Sequence, residues 1–244
     1  MNEDLETLTS WLRDSRRAVF FGGAGVSTAS GIPDFRSAAG LYSQQADTGF
    51  PPEYLLSHTC LVRHPEEFYN FYRTSMLYPD AEPNGAHQAL AKLEADNHLA
   101  AIVTQNIDCL HKKAGSKTVW ELHGSVERNY CKNGHEYSMG WMLHTTGVPK
   151  CPDCGASVRP DVVLYEEALN SRIIEGAVKA IEKADLMIVG GTSLNVYPAA
   201  GLLNYYRGER MVLINRDATQ ADRRADLVFR EAIADVLSQA VNAL

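Results

Sequence analysis

A chain of 244 residues, 45% apolar and 22% charged, is long enough to bury a full core and has the balance of an ordinary folded domain with room for a small inserted module. Its formal net charge of −7 excludes a broad basic footprint for nucleic acid, while a basic peptide would be attracted weakly. No apolar run approaches the roughly 20 residues that cross a bilayer, and the opening MNEDLETLTSWLRDSRR reads as a charged amphipathic helix rather than a signal sequence, so a cytoplasmic location is expected.

In chain order, Asp4 to Arg16 predicts a helix with Leu5, Leu8, Trp11 and Leu12 on one face. Ala18 to Phe21 reads as a buried strand that breaks into Gly22, Gly23 and Gly25. Glycines after such a strand let backbone N–H groups approach a pyrophosphate, and a following helix would aim the positive end of its dipole at the same charge. The usual dinucleotide fingerprint wants a third glycine where Thr28 stands, and a lone glycine-rich turn is weak evidence. The loop Gly31-Ile32-Pro33-Asp34-Phe35-Arg36-Ser37 adds an aromatic face and a guanidinium. Residues 38–64, with Gly40, Gly49, Pro51 and Pro52, are expected to be irregular and mobile before a ligand arrives, so that 38–80 makes a flexible loop and the helical part of a small domain.

Pro65 to Met76 opens with Pro and two acids, the marks of a helix N-terminus, and a further helix is expected over His87 to Asp96 after the turn Pro83-Asn84-Gly85. Leu99 to Val103 predicts a second buried strand, ending in Thr104-Gln105-Asn106-Ile107-Asp108. Ligands in open α/β sheets bind beyond the carboxyl ends of strands, which places this polar run on the rim of the glycine loop. A third strand, Thr118 to Leu122, ends in His123-Gly124-Ser125. Of eight histidines only His123 combines a strand end, a following Gly and the ligand rim, where an imidazole with a pKa near working pH can accept a proton.

Between Glu127 and Arg159 apolar periodicity fades and cysteines appear, so 127–159 reads as an inserted module, with 1–126 and 160–244 forming one Rossmann-like domain. The sheet is expected to resume at Asp161 to Tyr165, followed by a helix over Ser171 to Ala184. Further strands are expected at Asp185 to Val189, running into Gly190-Gly191-Thr192-Ser193-Leu194, at Met211 to Ile214, ending in Asn215-Arg216, and at Asp226 to Phe229. A closing helix covers Glu231 to Leu244. Strand alternating with helix is the image of an α/β, doubly wound parallel sheet.

Five cysteines, an odd number with one tight pair, suggest metal binding more than disulfides in a reducing compartment. Structural zinc takes four tetrahedral thiolate or imidazole ligands, usually as two close pairs. Cys151 and Cys154 make a good second pair, as in a small zinc-ribbon-like module. Cys131 is followed three residues later by Gly134; His135, one further on, could complete a site of three cysteines and one histidine, and His144 is a poorer candidate. The other reading is a module held by packing alone, and neither gives the metal a catalytic job.

Together these strand-end clusters resemble the sirtuins, NAD-dependent protein lysine deacylases of bacterial type, over nearly the whole chain. The resemblance rests on Gly23-Ala24-Gly25-Val26-Ser27 with Gly31 to Ser37, on Thr104 to Asp108, on Leu122-His123-Gly124 and on Gly191-Thr192-Ser193-Leu194, in the family's order. Arg159-Pro160-Asp161-Val162-Val163 adds the strand that pairs with substrate in that family. The resemblance implies NAD as co-substrate and an acyl-lysine protein or peptide as partner. It further implies that Ala24, Gly25 and Thr28 line the pyrophosphate and adjoining ribose, with Arg36 as a charged contact. Phe35 would shield the nicotinamide end, and Gln105, Asn106, Ile107 and Asp108 would surround the nicotinamide and its ribose. Thr192, Ser193, Asn215 and Ile233 would hold the adenosine half. His123 and Asn106 would carry catalysis. The acyl oxygen would expel nicotinamide from the ribose, His123 would help a ribose hydroxyl attack the alkylamidate carbon, and water would complete the reaction, giving free lysine, nicotinamide and O-acyl-ADP-ribose.

The chain departs from that family's first metal pair, Cys-x-x-Cys, and from the Tyr-x-x-Arg of members that remove acidic acyl groups. Tyr72 stands where that Arg would be, and Arg73 lies about 100° further around a helix, so a neutral acyl group is expected. Rival readings are an NAD glycohydrolase or ADP-ribosyltransferase, marked by nicotinamide release without acylated peptide, and a non-catalytic NAD sensor. A dehydrogenase fits least, since Thr28 and the missing ribose acid about 20 residues on both disagree with it.

Overall fold

The computed structural model describes residues 3–35, 40–41 and 49–244. Helix α1 (Glu3–Asp14) lays Leu5, Leu8 and Leu12 against strand β1 (Ala18–Gly22). Helices α2 (Pro52–Leu55), α3 (His58–Arg63), α4 (Pro65–Ser75) and α5 (Gly85–Ala95) lead to β2 (Leu99–Thr104), α6 (Leu110–Lys113) and β3 (Val119–Glu121). Strands β4 (Gly124–Cys131) and β5 (Glu136–Tyr137), helix α7 (Met139–Leu143) and strand β6 (Val158–Val162) follow. Then come α8 (Ser171–Glu182), β7 (Met187–Gly190), β8 (Met211–Ile214), β9 (Leu227–Phe229) and α9 (Ile233–Asn242).

Six strands form one parallel sheet in the order β3-β2-β1-β7-β8-β9. Its strands read as unbroken apolar runs because both faces are covered. Phe20, Ile102, Ile188 and Val212 point into a core shared with α1, α5 and α9; Val19, Phe21, Val103, Val189 and Leu213 point into the opposite core under α8. The chain runs outward from β1 through β2 to β3 and, on the other side, from β7 through β8 to β9. The order therefore reverses between β1 and β7, which is where open α/β sheets leave a crevice for a ligand. Among the described residues no helix is long and apolar enough to cross a membrane.

Three expectations are corrected. No α-helix follows the glycine loop: two 3-10 turns, Ala24–Val26 and Thr28–Ser30, take its place, stopped by Gly31 at φ +83° and then Pro33. Part of 38–64 is helical, since Pro52 begins α2 and the Ser57 hydroxyl caps α3 by accepting from the Cys60 N–H; residues 36–39 and 42–48, on which much of the expected flexible loop falls, lie outside the described residues. The strand expected to resume the parallel sheet is Val158–Val162, and it pairs antiparallel with β4 in a separate sheet, β5-β4-β6. The expected module edges at 126/127 and 159/160 thus cut through strands of this small sheet. Its core gathers Phe68, Tyr69 and Tyr72 of α4 with Met142, Cys131, Cys151 and Val158.

Two buried imidazoles sit behind the glycine loop. His87 and His111 meet edge to face at 4.8 Å, and three of their four ring nitrogens, both of His111 and Nε2 of His87, have no hydrogen-bond partner. His87 Nδ1 accepts from the Asn84 N–H, and the Asn84 side chain donates to the Val26 carbonyl and the Ser30 hydroxyl, tying α5 to the loop. Burial lowers His87 to about 4 and, with a further push from His87, His111 to about 3. Both stay neutral when folded yet gain a proton when unfolded below about pH 6.5. Their contribution is thus intact above that value and is lost as pH falls toward 4 and 3. Between pH 6.5 and 5 each should remove roughly 2 kcal/mol. His111→Leu, which replaces two unsatisfied nitrogens with apolar volume, is expected to leave stability near pH 7 unchanged or raised and to flatten the acid loss in urea titrations at pH 7 and 5.

Candidate active site

The cavity, about 840 Å³, follows the carboxyl ends of five strands. Across the sheet its wall passes from His123 after β3, to Gln105–Asp108 after β2, to Gly23, Ala24, Gly25 and Ser27 after β1, to Gly191–Ser193 after β7 and Asn215 after β8. Gly25 and Gly191 meet back to back in the reversal crevice. A Cβ on Gly25 would lie 2.9 Å from the Gly191 Cα, and Gly191 itself holds φ +59°, so neither position accepts a larger residue without displacing backbone.

Gln105 locks the rim. Its N–H donates to the Gly22 carbonyl (3.0 Å), its side-chain Nε2 to Thr192 Oγ1 (3.0 Å), and its own carbonyl lies 2.9 Å from His123 Nδ1. A carbonyl oxygen only accepts, so Nδ1 carries the proton and Nε2 keeps its lone pair. Burial lowers the His123 pKa, with the Gln105 bond opposing, so the imidazole stays neutral to lower pH than a free one. The His123 carbonyl accepts from the Val163 N–H (3.0 Å), which joins the imidazole-bearing turn to the chain leaving β6.

Asn106, Asp108 and Ser27 form one buried network. The Asn106 Nδ2 donates to Ser27 Oγ (3.0 Å), and Ser27 Oγ donates to Asp108 Oδ2 (2.6 Å). Asp108 Oδ1 accepts from the Leu110 N–H (2.9 Å), so the carboxylate also closes the first turn of α6. Burial raises the Asp108 pKa, with the hydrogen bonds from Ser27, Leu110 and Asn106 opposing. Ser27 escaped individual notice in the sequence, although it closes the Gly23–Ser27 motif; only the fold brings it to Asn106 and Asp108, some 80 residues away.

Ala24, Gly25, Phe35, Gln105, Asn106, Ile107, Asp108, His123, Thr192, Ser193 and Asn215 all line the cavity. Thr28 and Ile233 do not. Thr28 is exposed and donates to the Gly25 carbonyl (3.1 Å). Ile233 begins α9 and is buried against the sheet, because the first apolar residue of an amphipathic helix faces the core. Arg36 lies outside the described residues. The loop after β7 adds Asn195 and Tyr197, and the loop after β8 adds Gln220, none of which the sequence marked. The wall also includes Leu56, Met76, Val126 and Met139, and among the described lining residues there is no Lys or Arg. Tyr72 is buried and stacked on Phe68 (5.9 Å), while Arg73 donates to Thr145 Oγ1 (3.2 Å) and the Gly147 carbonyl (2.8 Å); neither residue lines the cavity.

A second constellation caps the small sheet. The ligand atoms of Cys131, His135, Cys151 and Cys154 lie within 4.8 Å of one another. Cys131 Sγ is 3.7 Å from Cys154 Sγ, and His135 Nδ1 is 3.2 Å from Cys151 Sγ and 3.6 Å from Cys131 Sγ. Sulfurs at the corners of a zinc tetrahedron stand about 3.8 Å apart given bonds of about 2.3 Å, so the donor set and spacing fit zinc. Gly134, at φ +82°, turns the chain after β4 so that the Cys131 N–H donates to the His135 carbonyl, which brings the imidazole back over the thiols. His144 Nδ1 instead faces the Gly140 carbonyl of its own helix (2.6 Å).

A family model described as the Sir2 family matches residues 23–198. A Clostridium perfringens protein named NAD-dependent protein deacetylase is 56% identical over 244 residues, covering 99% of this chain and 100% of the relative. A Cutibacterium acnes protein of the same name is 56% identical over 234 residues, 96% of each chain. A solved structure of Sir2 with a p53 peptide and NAD+ superposes with a TM-score of 0.85 at 37% identity, covering 100% of this chain and 98% of the other. A structure of Sir2 bound to acetylated peptide gives 0.85 at 36% identity with the same coverage.

Proposed function

The chain belongs to the Sir2 family, and from that premise we infer that it is an NAD-dependent protein lysine deacetylase acting through His123. The observation that carries the reading is the fixed tautomer of His123: Nδ1 is tied to the Gln105 carbonyl and Nε2 is unprotonated, on an imidazole that lines the cavity. Bound NAD would supply the glycosidic bond whose cleavage releases nicotinamide and, with water, the ADP-ribose that takes the acyl group. Ala24 and Gly25, beside the reversal of strand order, are assigned to the pyrophosphate. Phe35, Asn106, Ile107 and Asp108 are assigned to the nicotinamide and its ribose, and Thr192, Ser193 and Asn215 to the adenosine half. A carboxamide oxygen is a poor nucleophile, so the walls must hold the acyl-lysine close and in line. His123 Nε2 is the base that would take the proton of a ribose hydroxyl. Val163, Leu164 and Tyr165, in the segment beyond β6, line the same cavity, so a peptide carrying the acyl-lysine would lie alongside them.

Cys131, His135, Cys151 and Cys154 hold zinc as a structural ion joining the end of β4 to the 151–155 turn, with no part in the chemistry. These ligands work as reduced thiols, which supports a cytoplasmic location.

Incubation with NAD and an acetyl-lysine peptide should release nicotinamide and O-acetyl-ADP-ribose in equal amounts by mass spectrometry. Nicotinamide release of the same size without peptide would instead mark a glycohydrolase. A neutral acyl group is preferred, because the described wall offers a succinyl carboxylate Leu56, Met76, Val126 and Met139 and no Lys or Arg. Turnover of succinyl-lysine peptide is expected to be at least about tenfold below acetyl-lysine peptide in kcat/KM, a gap of about 1.4 kcal/mol. Equal rates would overturn that preference.

A further inference from the structure

The adenosine side of the cavity is walled by a loop that runs from Asn215, at the end of β8, to Gln220, and Asn215, Asp217, Thr219 and Gln220 all line it. The loop has little regular structure to hold it. Asn215 Nδ2 donates to the Asp217 carbonyl (2.8 Å) within it, and a guanidinium on its outer side ties its start to its end. Arg230, just after β9, donates through one nitrogen to the carbonyls of Asn215 (3.0 Å) and Asp217 (3.1 Å). Its other terminal nitrogen pairs with Asp222 Oδ2. The same Asp222 uses Oδ1 to accept from the Thr219 N–H (2.7 Å) and Thr219 Oγ1 (3.0 Å). One side chain therefore ties the start of the loop to its end.

The inner side of the loop is connected in turn to the opposite rim. Asn215 Oδ1 accepts from the Thr192 N–H (3.0 Å), and Gln220 Nε2 donates to the Leu194 carbonyl (2.9 Å). Anything that lets Asn215 or Gln220 shift also loosens the turn after β7. Arg230 does not itself line the cavity.

We propose that Arg230 is a positioning residue that holds the 215–220 loop in the shape that receives the adenosine half of NAD, an inference that rests on the NAD reading above. The planar fork reaches two carbonyls and a carboxylate at once, which a single ammonium does not reproduce. Its removal leaves those exposed acceptors to water, so the fold survives while the loop samples more conformations, and ordering it is then charged to NAD binding.

Arg230→Met, Arg230→Lys and Asp222→Asn test the assignment by steady-state kinetics on acetyl-lysine peptide with calorimetry of NAD binding. Arg230→Met should raise the KM and Kd for NAD by about tenfold, with kcat at saturating NAD within about twofold and the peptide KM unchanged. Arg230→Lys should recover part of the loss, and Asp222→Asn should move NAD affinity in the same direction by less. Should Arg230→Met fail to fold, Asp222→Asn reads the same brace. NAD parameters unmoved in Arg230→Met, or in Asp222→Asn where Arg230→Met does not fold, would overturn the proposal, as would a fall in kcat and a rise in peptide KM as large as the change for NAD. A wild-type protein that binds no NAD would overturn the reading beneath it as well, which separates the two failures.

Discussion

His123→Ala should lower deacetylation of an acetyl-lysine peptide by roughly 10²–10⁴-fold while leaving NAD affinity within about threefold of the wild type. The split follows from what the imidazole does. It lines the cavity with Nδ1 spent on the Gln105 carbonyl, so its free Nε2 is able to accept a proton and its share of the cavity wall is one edge among many. Loss of the side chain also leaves that carbonyl unpaired, so melting temperature should be recorded beside activity. A variant that keeps the wild-type fold and binds NAD, yet has lost turnover, isolates the base. Because burial lowers the His123 pKa, the acid limb of kcat/KM should fall below the free-imidazole value of about 6.5. A variant retaining more than about a tenth of wild-type turnover would remove His123 from the role of base.

Loss of zinc should be nearly as severe, through folding rather than chemistry. The small sheet contains a strand of only two residues, β5, and three thiols and an imidazole crowd one corner of it. Without a metal these atoms have only one another, the Tyr137 hydroxyl beside Cys151 Sγ (2.9 Å) and water as partners, whereas a metal would bind all four at once. Structural zinc sites contribute apparent free energies of order 10 kcal/mol in isolated modules. Cys151→Ser is expected to cost at least about 3 kcal/mol, or about 10 °C in Tm for a chain of this size, together with loss of activity as β4 and β6 lose their register beside His123. Elemental analysis of the purified protein should give about one zinc per chain. His135→Cys, which preserves four ligands, should keep the metal, and His135→Ala should weaken it. A chain that carries no zinc and melts at the same temperature with and without chelator would rule the site out.

Much of the site was legible because it is made of segments rather than of distant pairs. Thr104-Gln105-Asn106-Ile107-Asp108 and Leu122-His123-Gly124 each end a strand, and strand ends of a parallel sheet share one rim whatever the lengths between them. The cysteine and histidine cluster was legible because Cys131 and His135, like Cys151 and Cys154, are local pairs joined by tight turns. Thr28 and Ile233, expected at the cofactor, do not line the cavity, for an equally physical reason. Ile233 is apolar at the start of an amphipathic helix, so the core claims it, and Thr28 turns outward because a 3-10 turn replaces the expected helix. The strand near Asp161 was misassigned because a short run of Val and Leu does not reveal which sheet will pair with it.

The amino-acid order alone determined the alternation of strand and helix, the glycine turn, the polar strand ends and the local metal pairs, since each depends on neighbours within a few residues. Which side of β1 each later strand would take, the meeting of Gly25 with Gly191, the sharing of Ser27 between Asn106 and Asp108 and the bracing of the 215–220 loop by Arg230 were decided only by tertiary structure. These are contacts between segments whose separation carries no local signal. They form only when burial of both faces of the sheet fixes the strand order.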